Sequence, residues 1–278
     1  SSTNVVIEAG SVRMPVIVSS VSCKNLSINN GASVTTTIAG TLNIAGNLVN
    51  NGTMVNNGTT HFNGTTGQQA FTGVNSFYNI NLNNAAGMSL PTAISVGNNL
   101  VITAGTLNAN NFIISVGGNW MNNASAGAFT AGTSTVNFSG TANQVIGGSF
   151  STNFNNLTIS NSSAIVSLST NENIVSNLSI SAGTLDLAAF TANRITSGGV
   201  LTVANNAVLK IGGTNSFPTN YSTVNLVVAS TVEYAGANQN VSNQVYGNLK
   251  LSSSAGAVVK TFPASALTIV GNLLSEQG

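Results

Sequence analysis

The sequence predicts an all-β fold, a right-handed parallel β-helix with about 20–23 residues per coil. Three observations support this prediction. Apolar and polar residues alternate with a period of two, as in residues 26–28, 42–44, 178–180, 201–203 and 267–269, which is typical of strands with one buried face. Related segments recur after one coil length. No stretch shows the 3.6-residue period of an amphipathic helix.

The spacing of related segments sets the coil length. Residues 94–100 (ISVGNNL) return as residues 114–120 (ISVGGNW), 20 positions later, and residues 178–180 return as residues 201–203, 23 positions later. A coil of this length holds two or three short strands and their turns, as a parallel β-helix requires. The shorter echo between residues 49–53 and 55–59 indicates successive faces of one coil.

A longer unit is superimposed on the coils. Residues 77–82, 154–159 and 246–251 each carry an aromatic residue, an asparagine and two alternating apolar residues. Each is preceded by an aromatic–x–Gly block and a glutamine, which we assign as Gln68, Gln144 and Gln239. The super-repeats span about 60–135, 136–231 and 232–278, with an insertion near residues 200–228. We expect residues 1–278 to form one continuous solenoid, and the missing polar cap predicts that it is a fragment of a longer protein.

Composition excludes several classes of function. Charged residues make up 4% of the chain, with a net charge of +1, while 42% of the residues are hydrophobic and 44 are asparagine. The apolar content is too high for a disordered chain. Nucleic-acid binding needs many basic residues, and no apolar run reaches the roughly 18 residues of a membrane span. We therefore expect neither nucleic-acid binding nor membrane insertion, and we expect the asparagines to bond along the solenoid axis.

The titratable residues predict no enzyme: we assign no catalytic, cofactor-binding or metal-binding residues and no cofactor. Glu172 and Asp186 are the closest pair of acids, but they lie 14 positions apart, which a coil of 20 does not stack. His61 is predicted to be outward and solvated, and Cys23 to be a small buried residue. One histidine and one cysteine are too few for a transition-metal site or a His-dependent triad.

Aromatic residues are the candidates for stacking on sugars: Tyr78, Tyr221, Tyr234, Tyr246 and Trp120. However, tyrosine replaces phenylalanine at equivalent repeat positions, which favours a stacked interior whose edge reaches solvent. The glycine-rich turn at residues 116–118 lacks the helix and lysine of a phosphate-binding loop. The threonines at residues 35–37 lack the regular repetition of an ice-binding face.

Four segments together resemble a known family: residues 22–28 (SCKNLSI), 40–53 (GTLNIAGNLVNNGT), 136–141 (VNFSGT) and 154–159 (FNNLTI). They resemble β-solenoid repeats in very large secreted and cell-surface proteins of Bacteroidetes. Those proteins typically leave the cell through the type IX secretion system, and the gliding-motility adhesins are among them. The resemblance implies export by that machinery and an extracellular or outer-surface location.

The expected function is therefore a non-enzymatic structural rod or stalk of a surface fibre or adhesin, providing reach, stiffness and protease resistance. Its expected partners are the type IX machinery during export, other surface components or further copies joined end to end, and an extracellular glycan. Two alternatives remain open: a polysaccharide-binding module, and a polysaccharide lyase or hydrolase, which would require clustered carboxylates.

Overall fold

The structure, a computed structural model, describes residues 2–253 and 256–276. Over these residues the chain is all-β, and its parallel sheets stack as a β-solenoid of about 13 turns with equivalent strands about 21 residues apart. The predicted parallel solenoid and its coil length are therefore confirmed. None of the described residues belongs to a helix with the length and hydropathy needed to cross a membrane.

The chain divides into two compact units, Ser1–Ser134 and Thr135–Gly278. The strands of the first unit are β1 (Val5–Ile7), β2 (Val16–Ile17), β3 (Ser20–Cys23), β4 (Leu26–Ile28), β5 (Ser33–Thr36), β6 (Thr41–Ile44), β7 (Leu48–Asn50), β8 (Thr53–Asn56), β9 (Thr59–Phe62), β10 (Phe71–Gly73), β11 (Asn79–Asn83), β12 (Met88–Ser89), β13 (Ile94–Val96), β14 (Leu100–Ala104), β15 (Leu107–Asn108), β16 (Ile114–Val116), β17 (Trp120–Asn122) and β18 (Phe129–Thr130).

In the first unit one long sheet follows the order β3-β6-β9-β11-β14-β17. The first coils are completed by the sheets β1-β4-β7-β10 and β2-β5-β8, and the later coils by β12-β15-β18 and by β13 with β16. Neighbouring strands in each sheet come from successive coils, so their main-chain hydrogen bonds join one coil to the next.

The strands of the second unit are β19 (Thr135–Phe138), β20 (Gln144–Gly148), β21 (Asn153–Ile159), β22 (Ile165–Leu168), β23 (Glu172–Ile180), β24 (Thr184–Asp186), β25 (Ala192–Arg194), β26 (Gly198–Val203), β27 (Val208–Ile211), β28 (Tyr221–Leu226), β29 (Thr231–Tyr234), β30 (Gln239–Asn240), β31 (Val245–Tyr246), β32 (Asn248–Leu251), β33 (Lys260–Thr261), β34 (Thr268–Ile269) and β35 (Leu273–Ser275).

In the second unit the strands of a long sheet follow the order β20-β22-β24-β27-β29-β32-β35. Beside it lies a sheet that we call the side sheet, β19-β21-β23-β26-β28, in which β25 also pairs with β23. Two small sheets complete the last coils, β30 with β33 and β31 with β34. The segment at residues 200–228, predicted as an insertion, contributes the regular strands β26, β27 and β28.

The core consists of apolar rows that run from coil to coil. In the first unit Ile44, Phe62 and Leu82 lie in register on β6, β9 and β11, and all three are fully buried. Because strand side chains alternate between the two faces of a sheet, each buried residue is followed by one that faces outward. Burying a side chain of this size stabilises the fold by about 1.5–3 kcal/mol. The same arrangement in the second unit is formed by Leu185, Leu209, Val232 and Leu249.

Two turns require glycine for a structural reason. Gly105 and Gly183 have positive φ angles of 76° and 73°. A Cβ atom added at Gly105 would overlap the carbonyl oxygen of Asn84, and one added at Gly183 would overlap that of Asn161. The chain of the previous coil therefore approaches these turns too closely for any side chain.

Candidate functional site

The outward asparagines connect each coil to the next through hydrogen bonds. Oδ1 of Asn79 accepts the backbone N–H of Asn99 at 3.2 Å, and Oδ1 of Asn99 in turn accepts the N–H of Asn119 at 2.8 Å. The amides also bond to each other: Asn98 donates to Asn79 at 3.0 Å. Bonding from amide to amide was predicted, whereas the more frequent bond from a side-chain oxygen to a main-chain N–H was not.

This bond recurs in both units with nitrogen–oxygen distances of 2.7–3.2 Å. The acceptor asparagine and the residue that donates its N–H, one coil later, are Asn25 and Asn47, Asn47 and Ala70, Asn79 and Asn99, Asn99 and Asn119, Asn111 and Thr133, Asn143 and Ile165, Asn171 and Thr191, Asn177 and Val200, Asn193 and Thr219, Asn238 and Val259, and Asn248 and Asn272. Asparagine side chains thus satisfy many of the main-chain N–H groups that lie between the strands.

A buried glutamine occupies the same position in all three super-repeats. Oε1 accepts the backbone N–H of a glycine in each case: Gly64 to Gln69 at 2.9 Å, Gly140 to Gln144 at 3.1 Å, and Gly236 to Gln239 at 2.9 Å. The assignment of Gln68 to this position was therefore wrong: Gln68 is exposed, and its neighbour Gln69 points inward. Neighbouring side chains in an extended segment point in opposite directions, so an error of one residue exchanges the inward and outward positions.

The next coil supplies a second donor to the same glutamine oxygen. Asn84 donates to Gln69 at 3.1 Å and Asn161 donates to Gln144 at 3.0 Å, whereas Lys260 donates its ammonium group to Gln239 at 2.5 Å. Nζ of Lys260 also donates to the carbonyl oxygens of Gly236 at 2.7 Å and Ala237 at 3.0 Å. Burial lowers the pKa of Lys260. This cluster is a structural connection between coils.

The repeated aromatic residues lie in the core: Phe62, Phe77, Phe138, Phe154, Tyr234 and Tyr246 are all buried. In the third super-repeat the hydroxyl oxygens of Tyr234 and Tyr246 are 3.1 Å apart. The N–H of Ser242 donates to the Tyr234 hydroxyl at 3.0 Å, and the Tyr246 hydroxyl donates to the carbonyl of Ser242 at 2.7 Å. The predicted interior is confirmed, but the prediction that the ring edges reach solvent was wrong, because Ser242 satisfies both hydroxyls internally.

The other candidates for sugar stacking are placed differently. Trp120 is fully buried and packs edge-on against Phe129, with ring centroids 4.9 Å apart. Tyr221 is half-buried, and its hydroxyl donates to the carbonyl of Ala192 at 2.9 Å. Tyr78 is also half-buried. Burial raises the pKa of Tyr221.

The structure does not bring Glu172 and Asp186 together. Glu172 begins β23 of the side sheet and is fully buried, and its carboxylate accepts the N–H of Thr152 at 2.6 Å and the hydroxyl of Thr170 at 2.5 Å. Desolvation raises the pKa of Glu172 to about 7, against the lowering effect of these two hydrogen bonds. Asp186 lies on β24 of the long sheet and pairs with Lys210 at 3.0 Å.

Five charged residues form a line along the long sheet of the second unit, which we call the charge ladder: Asp186, Lys210, Glu233, Lys250 and Glu276. Lys210 pairs with Asp186, and Lys250 pairs with Glu233 at 3.6 Å and with Glu276 at 2.7 Å. The first four residues are in register on β24, β27, β29 and β32. Sequence reasoning missed the ladder, although spacings close to one coil length between opposite charges could have indicated it.

His61 and Cys23 both serve the packing of the first unit. His61 is half-buried, with Nδ1 2.9 Å from Oδ1 of Asn43 in the preceding strand, so the prediction that its side chain is solvated was wrong in part. Burial lowers the pKa of His61 and raises that of Cys23. Cys23 is buried as predicted.

Arg194 is a second charged residue that the structure buries. It faces inward on β25, where Nε donates to the carbonyl of Thr196 at 3.0 Å and Nη1 donates to the carbonyl of Ser176. A Cβ atom at Gly199 would overlap the guanidinium, so the glycine makes room for it. The period-two pattern places Arg194 on the same face as buried Ala192, which is the signal that sequence reasoning overlooked.

An amide-lined hollow of about 300 Å³ lies on the surface of the first unit, bordered by Thr59, Asn79, Ile80, Asn81, Asn98, Asn99 and Val101. All four of its amides, those of Asn79, Asn81, Asn98 and Asn99, already take part in bonds between coils. Across residues 2–253 and 256–276, no three His, Cys, Asp or Glu side chains group as a metal site would require.

Comparisons with protein-family models, curated proteins and solved structures found no match for this chain.

The polar and charged side chains described above take their partners mainly from the coil before or after their own. Glu172 offers a proton-binding group with a pKa near neutrality, but it is enclosed and bonded to two threonines. The arrangement fixes each coil to its neighbours.

Proposed function

We propose that this chain is a non-enzymatic structural segment, a rod or stalk within a large secreted or surface-displayed fibre or adhesin. The observation that supports this most directly is the repeated hydrogen bond from an asparagine Oδ1 to the main-chain N–H of the next coil. Such bonding resists the sliding and opening of coils, which is the property that a stiff spacer requires.

The proposed location rests on the family resemblance and on the chemistry of the surface. We propose an extracellular or outer-surface location, reached through type IX secretion, with adhesion or gliding motility as the parent protein's role. The stability of a fold whose surface is rich in amides and poor in charge depends little on salt concentration, because salt has few exposed charges to screen.

Resistance to proteolysis is part of the same proposal. Of the six basic residues, Arg13 and Lys24 are exposed near the start of the chain. Arg194 is buried, Lys210 and Lys250 are held in the charge ladder, and Lys260 is half-buried and bonded to Gln239 and two carbonyl oxygens. Trypsin needs an accessible and locally unfolded segment, so we expect trimming at Arg13 and Lys24 and survival of the remainder.

Polysaccharide binding is the second candidate, and the amide-lined hollow is the observation that favours it. Amide groups at its rim are suited to bonding sugar hydroxyls, but all four are already engaged between coils. A lyase or hydrolase is a weaker alternative, since its reaction needs two carboxyl groups that cooperate, and Glu172 and Asp186 lie on different sheets.

Three measurements on the whole chain test the proposal. A structural segment gives an elongated small-angle scattering profile, a trypsin-resistant fragment that begins after Lys24, and no retained sugar on a glycan array. Early cleavage at Lys210 or Lys250, or a compact scattering profile, would contradict it. Retention of one glycan class that is lost in Asn81→Ala would favour the polysaccharide-binding alternative.

A further inference from the structure

The side sheet of the second unit ends before the long sheet does. Its last strand is β28, whereas the long sheet continues through β29, β32 and β35. The next strand on that side of the solenoid is β31, which pairs with β34 and not with β28. Among the described residues, β28 therefore has a strand partner on one edge only.

Two interior rows of apolar side chains are left uncovered at this edge. Leu201 is in register with Val224, and Val203 is in register with Leu226. Leu201 and Val203 are fully buried, yet Val224 and Leu226 are only half-buried. The core positions of β28 thus lack the paired strand that covers the same positions one coil earlier.

The main chain of β28 is also available on that edge. The N–H of Val227 donates to the carbonyl of Val203 on β26 at 3.1 Å. Because the main-chain groups of successive residues in a strand point to opposite sides, those of Leu226 and Val224 point away from β26. They therefore face the open edge.

A groove runs along this edge between β28 and β31. It consists of two adjoining hollows of about 520 and 400 Å³ that share Val224 and Val245. Val245, which lies on β31 at the other side of the groove, is 60% exposed. The remaining lining residues are uncharged: Thr202, Tyr221, Ser222, Asn225, Leu226, Val227, Asn243, Gln244 and Thr268.

We propose that this groove binds an extended, uncharged peptide segment of a partner protein, which adds to β28 as a parallel strand. The peptide continues the strand-on-strand contact that every earlier pair in the side sheet already makes. Aliphatic side chains at alternate positions cover Val224 and Leu226, while the peptide backbone bonds to the open edge. The uncharged lining selects against acidic or basic peptides, because a buried charge without a partner is costly.

The probe is a fluorescent, end-blocked peptide with the sequence of residues 176–182 (SNLSISA). Its leucine and isoleucine are the residues that precede Leu201 and Val203 in the same two rows. Titration with the intact chain, followed by fluorescence anisotropy, is expected to give saturable binding. A peptide with asparagine in place of both aliphatic residues is expected to bind at least about tenfold more weakly.

Two N-methylated peptides make the test specific to strand addition. One is methylated on the alternate amides that face β28, and the other on the amides that face away, so that only one of the two should retain binding. Because both use the unaltered protein, misfolding does not affect the comparison. In the protein, Leu226→Asp is expected to abolish binding, while Val175→Asp, at an exposed valine on β23, is expected to leave it unchanged.

Equal binding of the two methylated peptides, or no saturable binding up to about 1 mM, would overturn the proposal. Displacement of the peptide by a neutral oligosaccharide would assign the groove to a glycan. Concentration-dependent dimers that Leu226→Asp dissociates would assign it to a second copy. Neither result changes the elongated shape that the stalk proposal expects of the single chain, which scattering of the monomeric Leu226→Asp variant measures, so the two proposals fail separately.

Discussion

Asn161 donates its side-chain amide to Oε1 of Gln144 at 3.0 Å, so that one coil completes the hydrogen bonding of the coil before it. The same oxygen accepts the N–H of Gly140 within its own coil. A glutamine that is satisfied from both sides joins the coils only when they stack in the correct register. The same glutamine recurs as Gln69 and Gln239, so each super-repeat contains one residue whose hydrogen bonds depend on the correct register of the coils.

Replacing the buried glutamine of the first super-repeat is expected to be costly. Gln69→Ala leaves the N–H of Gly64 and the carbonyls of Ile44 and Gly46 without their partner. We expect the free energy of unfolding to fall by about 2–4 kcal/mol, because unpaired buried polar groups retain their desolvation cost. Denaturant titration followed by circular dichroism measures this change.

The neighbouring residue provides a matched control. Gln68 is exposed, and Gln68→Ala should change stability by less than about 0.5 kcal/mol. If the two alanine variants lose stability equally, the inward placement of Gln69 is wrong.

Stability should depend on pH through Glu172. Its folded-state pKa of about 7 lies above the ordinary value of 4.5, so the folded protein binds this proton more tightly than the unfolded chain does. The contribution is complete below pH 4.5 and is lost as the pH rises through about 7. Glu172→Gln should therefore be more stable than the parent above pH 8, by on the order of 3 kcal/mol.

The measurement is a series of denaturant titrations between pH 4 and pH 9. His61 acts in the opposite sense, since its lowered pKa removes stability as the pH falls through its ordinary value of 6.5. Measuring Glu172→Gln in a His61→Asn background separates the two effects. Asparagine is the residue found at the two positions in register with His61, Asn43 and Asn81. Exposed Glu8→Gln serves as the control, and an unchanged pH profile in Glu172→Gln would contradict the assignment.

The tight turn at Gly183 should not tolerate a side chain. Gly183→Ala combines a positive φ angle with an overlap against the carbonyl of Asn161. Gly10 has a similar φ of 77°, but no atom lies within 4 Å of an added Cβ. Gly10→Ala should cost about 1 kcal/mol for backbone strain alone, and Gly183→Ala clearly more. Thermal melting of both variants tests this, and equal losses would show that the overlap relaxes freely.

Reversing one charge in the charge ladder should destabilise the second unit in a manner that depends on salt. Lys250→Glu places a carboxylate between Glu233 and Glu276, which now pair with Lys250. We expect a loss of about 1 kcal/mol at low ionic strength, because the pairs are partly exposed. In 1 M NaCl most of the loss should disappear. A loss of the same size at both salt concentrations would point to packing instead, and exposed Lys24→Glu is the control.

The repeats and the alternating pattern were sufficient to predict the solenoid. Residues such as Leu178 and Leu201 recur one coil apart, and the structure stacks them in register. The burial of Cys23 and of the repeated aromatics followed from the same reasoning. The error at Gln68 shows the limit of the method: in a loop without clear alternation, sequence cannot determine which of two adjacent glutamines faces inward.

Relationships between coils required the structure. The sequence shows Asp186, Lys210, Glu233 and Lys250 as isolated charges, and only the register of the strands aligns them. The hydroxyls of Tyr234 and Tyr246 were expected at the surface, but Ser242 satisfies them in the core. In the first case the contacting residues lie about one coil apart in the sequence. In the second, the contact depends on whether the turn at Ser242 directs its main-chain groups inward.

The amino-acid sequence alone determined that this chain winds into parallel β coils of about 21 residues with an apolar interior, because a period of two and a fixed recurrence leave few other ways to bury the apolar face. Tertiary structure decided which polar groups are paired between coils and where the side sheet stops at β28. Those outcomes depend on the exact stacking of one coil on another, and a difference of one residue in register changes every contact across the interface.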